Sequence, residues 1–281
     1  MWYALISASA LLFSLQFLFT DTFRHENGNT WVSSLKFSLY TSISGFIVLL
    51  IFNKFHFDIS IFSFLVALVF AAINISMVFC SLKAFEHANL SVYSVFCMIG
   101  GMTLPFIYGA FSGEEITISK IVCFIFIALS VLLSVNPGKH SKKASLYYFA
   151  VFIFNGLVGV ISTLHQSVSE LNVDSSSFVI LTKITTIGLT LPLLLFTKTR
   201  SFRINFKSIM YCIGYSLFNT VGNLWLLIAL TYLPASVQYP MVTGGTIVFS
   251  AIISVLRKEK PRTREIFSCA IALIASVCMA F

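Results

Sequence analysis

Two lysines within apolar segments are the most costly residues to place in a membrane. Lys36 and Lys183 each lie early in a long apolar stretch, where inserting a charged side chain costs about 2.5–3.5 kcal/mol. Two interpretations fit this placement. Each lysine could reach the membrane interface or cap a neighbouring carbonyl group. Alternatively, the pair could act as cationic gates, or as an anion site, reached from opposite sides of the membrane.

Amide side chains within apolar segments are the second candidate group. Tyr215, Asn219, Gly222 and Asn223 recur at helical spacing and share one helix face, and Asn74 lies within another apolar stretch. Such amides either hold a neighbouring helix, at about 0.6 kcal/mol on average, or bind a solute where matched helices meet. Asn74, Asn219 and Asn223 are therefore candidate substrate-binding residues.

A further polar stripe follows one helical face near the C-terminus. It consists of Tyr239, Thr243, Thr246, Ser250 and Ser254. Polar residues on one face of a spanning helix contact a partner helix or a cavity rather than lipid. The first three residues of the stripe are added to the candidate substrate-binding residues.

Two more candidates come from other segments. Gln166 continues a polar row with Asn155 and Ser162, and His165 lies beside it. A single histidine in such a place is more often packed and hydrogen-bonded than a proton relay. Trp225 could form a cavity wall for an amphipathic or cationic ligand, or it could simply pack.

The sequence offers no arrangement typical of catalysis. It has no HExxH, Walker A or GxSxG motif and no paired carboxylates within apolar segments, so we do not expect an enzyme. The six cysteines lie in apolar runs and form no CxxC pair, which predicts no disulfide, metal site or cofactor.

Composition identifies the elements that must position these residues. The chain has 281 residues, of which 58% are hydrophobic and only 10% charged, with a mean hydropathy of +0.93. Soluble domains carry about 25% charged residues, so a soluble protein is excluded. Since one span needs about 20 apolar residues, the apolar stretches predict helices at 2–20, 31–52, 60–84, 89–111, 117–135, 145–168, 175–197, 206–232, 235–256 and 264–281.

The chain repeats itself with a shift of 145 residues. Residues 74–136 align with 219–281 without a gap, so that Asn74 meets Asn219. At a shift of 147 residues, Lys36 meets Lys183.

Two five-helix halves, 1–137 and 142–281, follow from this repeat. Because five is odd, the second half enters the membrane from the opposite side. The sequence therefore predicts an all-α membrane protein with ten transmembrane helices in two inverted five-helix repeats, an arrangement that suits a midplane site and alternating access.

These features resemble the drug/metabolite transporter superfamily, EamA-type. The shared features are an early basic residue in helices 2 and 7, the stretch from Ala229 to Pro240 that leads into helix 9, the run Gly244-Gly245-Thr246, and acidic turns at 113–117 and 258–261 before the last helix of each half. By motif, the resemblance is strongest in 84–135 and 229–281. Small multidrug-resistance proteins of this superfamily carry a carboxylate in the middle of helix 1. Helix 1 has none here, which disfavours their mechanism.

The predicted function is a carrier for small organic solutes, such as neutral or zwitterionic metabolites including amino acids. Its cavity is expected between helices 3, 4, 8 and 9, with contributions from 1 and 6, while helices 5 and 10 support the scaffold or a homodimer face. The expected partners are the solute and membrane lipid, without nucleic acid. Alternatives are a multidrug or organic-cation efflux carrier, a lipid-carrier flippase and a non-transporting membrane subunit.

Loop charge predicts the orientation in a cell membrane, either a bacterial inner membrane or a plasma membrane. Of the 18 Lys and Arg residues, 13 lie in or beside the loops after helices 1, 5, 7 and 9, whereas only Lys54 and Lys120 lie at the opposite face. An excess of Lys and Arg in short loops marks the cytoplasmic side. Both termini are therefore predicted outside, although proteins of the resembled family are usually drawn with both termini in the cytoplasm.

Overall fold

A computed structural model describes residues 2–86, 90–111, 118–134, 142–168, 170–197, 202–230, 235–258 and 263–279. These residues form helices and contain no strand. The helices are α1 (Trp2–Asn27), α2 (Trp31–Phe52), α3 (Ile61–Ala84), α4 (Leu90–Phe111), α5 (Ile118–Ser134), α6 (Lys142–Ser167), α7 (Ser175–Leu195), α8 (Phe206–Leu230), α9 (Ala235–Leu256) and α10 (Thr263–Met279).

Membrane-spanning character is clearest in α1, α2, α3, α4, α6 and α7. Within the described ranges, these six helices contain segments long and apolar enough to cross a membrane. The protein is therefore an all-α, multi-pass membrane protein.

Three of these helices begin at residues whose side chains satisfy the first free backbone N–H groups. Thr30 accepts a hydrogen bond from the Ser33 N–H at the start of α2, and Ser60 does the same for Ser63 at the start of α3. Asp174 caps α7. Such caps fix where each helix enters the bundle.

The first helix is longer than the sequence predicted. The predicted break at Asp21 was wrong, because α1 continues to Asn27. Asp21 pairs with Arg24 one turn further on, at 3.0 Å, and such pairs stabilise a helix rather than end it. The helix ends at Gly28, which has a φ of 74° and donates its N–H to the Arg24 carbonyl at 2.7 Å.

The contact between α4 and α6 depends on glycines. A Cβ at Gly100 would collide with the Phe152 carbonyl, and one at Gly156 would lie 2.7 Å from the Gly100 carbonyl oxygen. Small residues allow membrane helices to approach this closely. The backbones of α4 and α6 are therefore in direct contact.

Most of the principal helix contacts join the two parts of the chain that flank residues 135–141. Helix α1 packs on α8 and α9, α2 on α7 and α8, α3 on α6 and α7, α4 on α6 and α9, and α5 on α10. The interior of the molecule therefore lies between residues 2–134 and residues 142–279.

Candidate functional site

A cavity of about 300 Å³ lies between these two parts of the chain. Side chains from α1, α2, α3, α4, α6, α7, α8 and α9 line it. Its volume is at the lower end of the range for small-molecule sites, about 300–1,000 Å³. Six of the sequence-predicted site residues contribute to its wall: Asn74, Gln166, Lys183, Asn219, Asn223 and Thr243.

Amides from both parts of the chain meet at this cavity. The Asn219 amide donates a hydrogen bond of 2.8 Å to the Gln16 side-chain oxygen, which joins α8 to α1. Asn223 donates to the Asn219 backbone carbonyl at 2.7 Å. By contrast, the side chain of Asn74 makes no hydrogen bond within the described residues. Asn219 is therefore held by the fold, whereas the Asn74 amide lines the cavity without a hydrogen-bond partner among the described residues.

Lys183 brings a positive charge to the cavity. Its chain runs beside Gly45 of α2, where a Cβ would lie 3.1 Å from the Lys183 Cε and 2.9 Å from the Ser216 Oγ. Glycine at position 45 therefore leaves room for the lysine. In the part of the chain that the structure describes, the Lys183 ammonium has no hydrogen-bond or ion-pair partner.

The second predicted gating lysine has a different environment. Lys36 lies outside the cavity wall and donates a hydrogen bond of 2.9 Å to the Arg203 carbonyl, in the segment before α8. This contact is the carbonyl cap that the sequence left open as an alternative. The two lysines therefore do not have matching surroundings, although they align in the sequence repeat.

Three other predicted residues do not contribute described side chains to the cavity. Thr246 is fully buried between α9 and α1, where its hydroxyl donates to the Ala10 carbonyl at 3.3 Å and its own carbonyl accepts from Ser14 at 3.0 Å. Thr246 is therefore a helix contact in this structure, and its role as a binding residue stays a prediction. Trp225 is absent from the described cavity wall. Tyr239 lies in α9, but its side chain falls outside what is described.

His165 lines the cavity but is tightly packed. Its ring stacks on Phe178 with centroids 3.7 Å apart, and its Nε2 lies 2.9 Å from the Ser63 Oγ. Only 1% of His165 is exposed. These contacts join α6 to α3 and α7.

Sequence reasoning missed several polar residues of the wall. Thr182 and Thr186 flank Lys183 on α7, and Gln16 lies opposite on α1. The two threonines are one helical turn apart, a spacing visible in the sequence. Gln16 is the only strongly polar group within the predicted helix at 2–20, but nothing in the sequence links it to Asn219.

The two ends of the cavity differ. Gln166 and Ser175, at the end of α6 and the start of α7, line it and are exposed, so it reaches the surface there. At the other end, Asp21 is 6% exposed and pairs at 2.9 Å with Arg257, the residue directly after α9. This ion pair joins α1 to α9 across that end.

The formal charge of the described cavity wall is positive. Lys183 supplies a formal positive charge, and the described wall contains no Asp or Glu. Polar groups that lack an internal partner, in a wall that is otherwise largely apolar, are typical of a ligand site.

Comparisons with known proteins give no relative from which a role could be transferred: no family model matches the chain, and no curated protein matches its sequence.

Proposed function

We propose that this protein is a carrier that moves a small organic solute across a cell membrane by alternating access. The observation that carries the proposal is the cavity between residues 2–134 and 142–279, whose wall includes the Lys183 and Asn74 side chains, neither of which has a hydrogen-bond or ion-pair partner among the described residues. Polar groups inside a membrane bundle are costly, and lining a solute pathway explains their presence.

The proposed architecture is ten transmembrane helices in two inverted five-helix repeats, 1–137 and 142–281, as in the EamA-type drug/metabolite transporters that the sequence resembles. The helix contacts support it. If the two halves are equivalent, each helix contact should have a counterpart in which every helix is replaced by the one five positions away. The α1–α8 contact then corresponds to α6–α3, α1–α9 to α6–α4, and α2–α8 to α7–α3, and the structure contains all six of these contacts.

Hydrogen bonds at the two ends give further support. In the first half of α2, Tyr40 donates to the Phe202 carbonyl in the segment before α8. Near the start of α7, Ser177 accepts from the Asp58 N–H in the segment before α3. Both bonds tie helix 2 of one half to the segment before helix 3 of the other. In the proposed mechanism, these opposite ends open in turn around a fixed central site.

The proposed cargo is a neutral or zwitterionic metabolite such as an amino acid. A cavity of about 300 Å³ has room for a molecule of that size. The positive charge of Lys183 opposes an organic cation, the cargo of the efflux alternative. A lipid flippase would need a long apolar groove, whereas this wall carries amides and hydroxyls from several helices.

The test is uptake by purified protein in liposomes. Liposomes loaded with one unlabelled amino acid at a time should accumulate the labelled form of the transported one by exchange, whereas empty liposomes should not. The same amino acid should raise the melting temperature of the protein in detergent by mass action. If none of the twenty standard amino acids exchanges or stabilises the protein, this cargo class is excluded.

A further inference from the structure

We propose that Lys183 binds the carboxylate of the solute, so that the cavity selects molecules with one carboxylate group and no net positive charge. This inference rests on the proposed carrier function and adds the chemical group that is recognised. It depends on the surroundings of Lys183 rather than on its position in the sequence repeat.

The first step is the missing counter-charge. The described acids closest in sequence to the cavity wall are occupied elsewhere: Asp21 pairs with Arg24 and Arg257, and Asp174 caps α7. A charged group in a membrane interior is normally paired. A negative group on the solute would supply the partner that the described residues do not.

The second step is access. The Lys183 side chain forms part of the cavity wall and is partly exposed there. Gly45 of α2 leaves space along its aliphatic portion. An ammonium group offers three hydrogen-bond donors and no acceptor, so an oxyanion is the solute group that it can bind most strongly.

The third step is the number of charges. Lys183 is the formal cation of the described wall, whereas Lys36 is engaged with the Arg203 carbonyl. One lysine balances one carboxylate, while a phosphate carries a charge of about −1.5 to −2 at neutral pH. Amides such as that of Asn74 can bind the remaining polar groups of a monocarboxylate or zwitterion without adding charge.

Selectivity of the unmodified protein is the first measurement. Binding in detergent is measured for the twenty standard amino acids, for the amide and the decarboxylated amine of each, and for inorganic phosphate. We expect an amino acid to bind at least tenfold more tightly than its own amide or amine, because a hydrogen bond to a charged group contributes about 1.5–3 kcal/mol. Tighter binding of phosphate than of any amino acid would overturn the assignment to a carboxylate.

Charge removal is the second measurement. Lys183→Gln should weaken binding of that amino acid about tenfold to a hundredfold, while Lys183→Arg should retain most of it. The matched control is Lys54→Gln, which removes an exposed lysine of the α2–α3 loop and should leave binding unchanged.

The outcomes separate the two proposals. If amides or amines bind and exchange as well as amino acids do, the carrier function stands and the role of Lys183 is wrong. The role is also wrong if Lys183→Gln binds amino acids normally. If no probe binds, both the cargo class and the inference fail. Should Lys183→Gln not fold, the selectivity of the unmodified protein still decides.

Discussion

At the residue scale, the cavity amides of Asn219 and Asn74 differ in their hydrogen bonding. Asn219 is bonded to Gln16 across the two parts of the chain, whereas Asn74 has no such bond among the described residues. Because Asn219 also lines the cavity, replacing it by Ala should lower the transport rate more than it lowers the yield of folded protein, since the lost helix–helix bond contributes only about 0.6 kcal/mol. Exchange in liposomes and monodisperse yield in detergent measure the two effects.

Asn74→Ala provides the comparison for that prediction, because it removes a cavity amide that makes no hydrogen bond within the described part of the chain. We expect reduced exchange with an unchanged melting temperature. Asn205→Ala, at an exposed position in the segment before α8, is the control outside the cavity. Equal losses of exchange and yield in Asn219→Ala would show that this amide is structural.

At the element scale, glycines determine how closely α4 and α6 approach. Gly100→Ala should destabilise the protein by about 1–3 kcal/mol, because its Cβ would press against the Phe152 backbone and force the helices apart. The control is Gly188→Ala on α7, where a Cβ meets nothing within 4 Å. Thermal unfolding in detergent should show a lower melting temperature for the first variant only. Equal melting temperatures would contradict direct backbone contact.

The cap of α7 should make stability depend on pH. Partial burial raises the pKa of the Asp174 carboxyl, whereas the hydrogen bonds that it accepts from Ser176 and Ser177 lower it. The hydrogen bonds have the larger total effect, so the resulting pKa lies below its ordinary value. A lowered pKa in the folded state means that the carboxylate stabilises the fold above its unfolded pKa of about 3.9 and that this contribution is lost as the pH falls.

Asp174→Ala should therefore cost about 0.5–2 kcal/mol at pH 7, and its deficit should shrink as the pH falls through the lowered pKa. Melting temperatures measured between pH 7 and pH 3 test this. Thr30→Ala removes the uncharged cap of α2, so its deficit should stay constant over this range. A deficit of Asp174→Ala that did not change with pH would show that its charge has no role.

The apolar runs sufficed to locate several helices, because lipid imposes both their length and their composition. Helix α2 spans Trp31–Phe52, the predicted range, and α3 begins one residue after its predicted start. The end of α1 could not be predicted from polarity. Asp21 and Arg24 look like a loop in sequence, but they pair one turn apart within α1, and the helix continues to Asn27.

The site was only partly predictable for a different reason. Periodicity shows which residues share a face, as it did for Asn219 and Asn223, but not which neighbour the face meets. Thr243 and Thr246 belong to one stripe, yet the first lines the cavity and the second packs on α1. The difference between Lys36 and Lys183 likewise depends on contacts between distant segments, which single-sequence spacing does not contain.

At the scale of the whole molecule, the loop charges and the proposed repeats together predict the orientation of the protein in the membrane. With an even number of spans, both termini lie on one side, and every odd-numbered loop lies on the other. Thirteen Lys and Arg residues in or beside those loops, against two at the opposite face, favour a cytoplasmic location for the odd loops. The loop after α2 should then face outward and the start of α10 inward.

Single cysteines at exposed positions test this orientation without altering loop charge. In a variant that lacks the six native cysteines, His56→Cys lies in the loop after α2 and Thr263→Cys at the start of α10, and both positions are exposed. A membrane-impermeant maleimide should label His56→Cys in intact spheroplasts and Thr263→Cys only after lysis, because the positive loops stay on the cytoplasmic side. The reverse pattern would place the termini in the cytoplasm, as the resembled family is usually drawn. Labelling of both positions in intact spheroplasts would place these two loops on the same side and would exclude the ten-span topology proposed above.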